Sequence, residues 1–128
     1  MSVFSKQIQE LDLTSVMARL QREAALSAEV LAEAETQYRQ FLQLCRDDTG
    51  TVPTELADKV WHTHILDTRK YAADCDALFG QFMHHNPHNQ MTPALEDEAR
   101  KTQAVWTKTF GTDAQKTALC NRFVLCNR

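Results

Sequence analysis

Residues 27–46, SAEVLAEAETQYRQFLQLCR, decide the fold. Leu31, Ala34, Tyr38, Phe41 and Cys45 recur every three or four residues, which aligns them as one stripe on a helix turning about 100° per residue. Period-two alternation, the mark of a half-buried strand, does not occur here. Asp47-Asp48-Thr49-Gly50 then ends the pattern.

Outward from this helix, glycine and proline divide the chain into segments with the same helical period. Towards the N-terminus, Leu13, Met17, Leu20 and Ala24 form a buried stripe on a helix that begins at Asp12 or Thr14, preceded by a short turn carrying Phe4, Ile8 and Leu11. Towards the C-terminus, Thr54 after Pro53 caps a helix with Leu56, Val60, Trp61 and Ile65. Asp67 caps the next, which runs to Phe79 and stops at Gly80, a residue suited to left-handed backbone. The stretch His84-His85-Asn86-Pro87-His88-Asn89-Gln90 is too polar and proline-interrupted for a core helix and reads as a loop. Thr92 and Pro93 start a last helix, with Leu95, Ala99, Thr102, Trp106 and Phe110 on one side and Gly111 at its end. The expected architecture is all-α, one bundle of four to five helices forming a single domain over residues 1–128.

Composition agrees: Ala and Leu total 28 against 9 for Val and Ile, with three glycines and three prolines. At 128 residues, 43% hydrophobic and 24% charged, the chain is long and apolar enough for a core, which excludes disorder and a multidomain enzyme. A net charge of −3 argues against nucleic-acid and acidic-membrane partners, which require surplus Lys and Arg. No apolar run is long enough to span a membrane and the start lacks signal-peptide character, so a cytoplasmic location is expected. The four cysteines, Cys45, Cys75, Cys120 and Cys126, are then expected to be reduced. Cys120 and Cys126 belong to a small repeat, in which Leu119-Cys-Asn-Arg recurs as Leu125-Cys-Asn-Arg. That tail reads first as an apolar segment docked on the bundle, and second as a metal or redox site.

All five histidines, His62, His64, His84, His85 and His88, fall within 27 consecutive residues. Neutral imidazole offers a metal a lone pair without the cost of a buried charge, so such clustering points to metal binding. With Leu56 at 0° on the helical wheel, Val60 falls at about 40°, His64 at about 80° and Trp61 at about 140°. His64 therefore points into the bundle. His62, at about 240°, lies beside Asp58 at about 200°, so His62 and His64 cannot both chelate one ion from a regular helix. On the next helix Asp67, Tyr71, Asp74 and Cys75 share an edge, able to ligate or to hold a ring N–H. Each has a plainer reading too: Asp67 as a helix cap, Tyr71 and the tryptophans as core, Cys75 as a small buried hydrophobe.

From Pro53 to His85 the chain resembles the conserved segment of the glycine-rich domain-containing protein family. The shared pattern is D-x-x-W-H-x-H, then Y-x-x-D-C, then a glycine followed by a histidine: Asp58, Trp61, His62, His64, Tyr71, Asp74, Cys75, Gly80 and His84 or His85. Eukaryotic members are larger and carry glycine-rich tracts, so the resemblance implies a stand-alone, bacterial-type version. It implies no particular reaction. It does imply one site, where Tyr71, Asp74 and a histidine beyond Gly80 meet His62 and His64 if the turn at Leu66-Asp67 folds the helices together.

The leading expectation is a small helical metal-binding protein, either a metalloenzyme or an accessory protein. A divalent zinc or iron ion would sit on a subset of His62, His64, His84, His85 and His88, supported by Asp58, Asp67, Tyr71 and Asp74. The alternative is a non-enzymatic interaction module in which Trp61, His64, Tyr71 and Asp74 form a structural polar network. A third reading makes His62 and His64 metal-free acid–base groups, with Asp58 orienting His62. No H-E-x-x-H, nucleophile-elbow, Walker or dinucleotide motif is present to narrow these.

Overall fold

Side-chain caps place the helix starts where the sequence puts hydroxyls and carboxylates. The computed structural model describes residues 3–49, 52–87, 92–111 and 124–127. Ser5 opens α1 (Lys6–Glu10), Ser27 opens α3 (Ala28–Arg46), and Thr54 opens α4 (Glu55–Leu66), each accepting a backbone N–H from the first turn. Asp67 does the same for α5 (Thr68–Phe79), and Thr92, with Pro93 next, for α6 (Pro93–Phe110). Before α2 (Thr14–Ala24), Asp12 accepts the Thr14 N–H at 3.0 Å. The described residues thus hold six helices, the short α1 being a helix of its own rather than a turn.

The central pair is α3 against α4, with α2 and α5 packed on α4. Tyr38, Phe41, Leu42, Leu44 and Cys45 of α3 meet Ala57, Val60 and Trp61 of α4 in one core, joined by Met17, Leu20, Cys75, Leu78 and Trp106. Burying side chains of this size contributes about 1.5–3 kcal/mol each, which makes this contact the main source of stability. Polar bonds fix what packing leaves free. Arg39 Nη1 donates to the Ile8 carbonyl at 2.7 Å, holding α1 on α3, and Trp106 Nε1 donates to Gln40 Oε1 at 3.1 Å, holding α6 there. No helix among the described residues is long and apolar enough to cross a membrane.

Two expectations need correction. Ala24 is exposed, because α2 ends there and Ala25 turns left-handed with φ 51°. The presumed loop after Gly80 includes a strand, β1 (His84–Pro87), pairing antiparallel with β2 (Val124–Asn127). Their register places His84 opposite Asn127 and His85 opposite Cys126. A strand whose partner lies some forty residues away leaves no local periodic signal. Cys45 and Cys75 are buried in the core and take part in no disulfide, while Cys120 lies outside the described residues.

The two left-handed caps give opposite predictions. Gly80, at φ 72°, has nothing within 4 Å of an added Cβ, so Gly80→Ala should cost about 1 kcal/mol from backbone strain alone. Ala25→Gly, relieving the same strain, should stabilise by about 0.5–1 kcal/mol. Urea unfolding of both variants checks this, and equal signs would contradict it.

Candidate metal centre

Helix α4 and the strand β1 build the site together. Asp58 and His62, four residues apart, stand on the same side of α4, while His85 reaches them from β1. His85 Nε2 lies 2.9 Å from Asp58 Oδ1 and 2.9 Å from His62 Nε2, and His62 Nε2 lies 3.5 Å from Asp58 Oδ2. One ligand atom from each residue falls within 4.8 Å of the other two. Exposure is graded across the group: the Asp58 side chain is 2% exposed, His85 15% and His62 46%. The carboxylate thus forms a buried floor and one imidazole an open rim. Asp58 belongs to the first turn of α4, where the helix dipole favours its negative charge.

The His85 contacts are chemically overcommitted. A ring nitrogen either donates one proton or offers one lone pair, yet His85 Nε2 faces a carboxylate oxygen and a second ring nitrogen at equal distance. A single hydrogen bond serves both only as a bifurcated compromise. A cation bound there would take a lone pair from each group in place of the shared proton.

A second polar set lies behind the first, on the core side of α4. His64 is 1% exposed; its Nε2 is 2.7 Å from Asp74 Oδ2 and its Nδ1 2.7 Å from the Tyr38 hydroxyl. A carboxylate only accepts, so Nε2 carries the proton and Nδ1 accepts from Tyr38. Lys70 Nζ, 2.9 Å from the same Asp74 oxygen, balances the charge at the protein edge. Burial pulls the His64 pKa below its usual value, outweighing the Asp74 hydrogen bond and charge that raise it. Burial also pushes Tyr38 and Tyr71 well above the ordinary phenol range, so both stay neutral donors.

Tyr71 connects the two sets. Its hydroxyl accepts from Trp61 Nε1 at 2.9 Å and donates to the carbonyl of Met83, two residues before His85. The Trp61 ring packs on His85 with centroids 4.4 Å apart. The α4–α5 pair therefore dictates where β1 begins and which way His85 faces.

The structure brings together Asp58, His62 and His85 of the residues singled out from sequence, and places the others elsewhere. His64, Tyr71 and Asp74 belong to the buried hydrogen bonds, with both His64 nitrogens engaged. Asp67 caps α5, and His84 is exposed beside the Phe82 ring. His88 lies outside the described residues. Asp58 entered the sequence reading as a supporting residue, and its carboxylate faces both imidazoles, Oδ1 towards His85 and Oδ2 towards His62. The four-residue step to His62 was the available signal.

A mainly helical chain with an Asp–His–His group shared between its central helix and a short strand is the class that fold and site define. The sequence model of the UCP032817-like family matches residues 5–125, and the chain belongs to that family. It is 32% identical over 101 residues to glycine-rich domain-containing protein 1 of Arabidopsis thaliana, and 30% identical over 101 residues to glycine-rich domain-containing protein 2 of the same plant. Both alignments cover 72% of this chain but only 12% and 13% of the relatives' lengths, so the chain corresponds to a small part of each. No solved structure matches it.

The buried network predicts an acid-side stability slope. Because the folded His64 pKa lies below the unfolded value near 6.5, its stabilisation is complete above about pH 6.5 and declines as pH falls through the folded value. In chelator, the stability gap between the wild type and His64→Gln should narrow from pH 7.5 to pH 5; a constant or widening gap contradicts the assignment. Tyr38→Phe, leaving His64 Nδ1 without its donor, should cost about 1–3 kcal/mol at pH 7.5 in the same assay.

Proposed function

We propose that this is a metal-binding protein whose divalent transition ion is held by Asp58, His62 and His85. The convergence of their three ligand atoms carries the reading. Nitrogen and oxygen ligands sit about 2.0–2.2 Å from zinc, so neighbouring donors on one ion lie about 3.0–3.4 Å apart at ordinary bond angles. The two ring nitrogens, 2.9 Å apart, are close to that spacing, and Asp58 meets His85 through Oδ1 and His62 through Oδ2, with one ligand atom of each residue within 4.8 Å of the other two. The overcommitted His85 nitrogen supports the same conclusion, because an ion relieves the conflict.

The donor set favours zinc or ferrous iron. Two imidazoles and one carboxylate, leaving coordination positions open, suit either metal, whereas copper(I) prefers thiolate and thioether. An ion in such a site acts as a Lewis acid or activates a bound water. The protein's part is to hold the donors: Asp58 by burial at a helix start, His62 by the four-residue step, and His85 through Trp61 and the Tyr71–Met83 bond. Under this reading His64 and Asp74 stiffen the scaffold rather than ligate.

Protein expressed without a histidine tag should carry about one zinc or iron per chain by elemental analysis, or take up one on reconstitution. Saturating metal should raise the melting temperature by about 5–10 °C, the shift expected when free ion exceeds its dissociation constant about a hundredfold. His85→Ala should lose most of that increment. His64→Ala should lower melting in chelator and metal alike while keeping the increment. Wild-type protein that neither carries nor takes up metal would overturn the proposal.

A further inference from the structure

The wall of the metal-binding group continues into an aliphatic surface. A pocket of about 350 Å³ is lined by His62, Ile65, Leu66 and His85, so two imidazoles and two branched hydrocarbon side chains share its wall. Its volume is in the range that takes small organic ligands. Leu66 is 58% exposed, although it is the last residue of α4 and sits beside the turn to α5, where a polar side chain would cost nothing in packing. A larger cleft, of about 620 Å³, lies by the ends of α3 and α5. There Arg46 already donates to the Leu78 carbonyl, and nothing on its walls converges as the imidazoles do.

Charge narrows the occupant. A divalent ion on Asp58 and two neutral imidazoles leaves the centre with one net positive charge. One anionic oxygen donor neutralises it, the least costly state in a half-buried site. We infer that the site takes a small organic monoacid, its carboxylate on the metal and its aliphatic body against Ile65 and Leu66. This inference rests on the metal-binding reading and adds the class of ligand to it.

The test uses full-length protein loaded with cobalt(II), whose visible spectrum reports a change in the coordination sphere. Acetate, butanoate, hexanoate and octanoate are titrated in turn, with hexanol as a control lacking the charged head. The carboxylates should each perturb the spectrum, and affinity should rise about twofold to fourfold per methylene until the pocket is filled. Hexanol should bind far more weakly than hexanoate. Leu66→Ser, at an exposed position, should flatten the chain-length series while leaving cobalt affinity unchanged. Equal affinity for acetate and octanoate, or an undiminished series in Leu66→Ser, would overturn the ligand assignment with the metal site intact. Failure of the wild type to develop a cobalt spectrum would instead remove the metal reading, and this inference with it.

Discussion

Everything at the site follows from burying one side of α4. A helix turns about 100° per residue, so residues two apart face nearly opposite ways. Once Val60 and Trp61 are committed to the core against α3, His64 goes inward and His62 outward. Inside, an imidazole must have both nitrogens matched, and Tyr38 and Asp74 match them. The four-residue step back from His62 reaches Asp58, buried in the first turn of the helix. A single H-x-H sequence thereby serves two purposes that share no donor atom.

The approach of His85 depends on a separate device. β1 has no helix to fix its register, and the Tyr71 hydroxyl provides the constraint by binding the Met83 carbonyl while Trp61 Nε1 binds Tyr71. Residues of a strand alternate sides, so fixing Met83 in the core also decides which of His84 and His85 turns towards α4. His85 turns inward to pack on Trp61, and His84 stays exposed. In this arrangement the tryptophan, the tyrosine and the histidine beyond the glycine of the family pattern form one mechanical linkage, running from the core to the Asp–His–His group.

The helices were legible because their signals are local. Thr54, Asp67 and Thr92 are caps in the structure as they are in the sequence, and Gly80 ends α5 with the backbone that glycine favours. The divergence of His62 and His64 and the pairing of Asp58 with His62 were also within reach, since a helical wheel contains both. The arrival of His85 was not. It depends on the Tyr71–Met83 bond and on β2, neither of which has a short-range signature, so sequence alone did not single out His85 among the histidines beyond Gly80. Ala24 shows the same limit at small scale: the stripe continued, but the left-handed turn at Ala25 cut the helix before that residue could be covered.

The central claim is that Asp58, His62 and His85 share one ion. Anomalous diffraction at the zinc and iron edges, from crystals of metal-reconstituted protein, tests it directly. The account predicts one peak about 2.0–2.3 Å from His62 Nε2, His85 Nε2 and an Asp58 oxygen. A peak held by other residues, or none at this group in protein with one metal per chain, would contradict it.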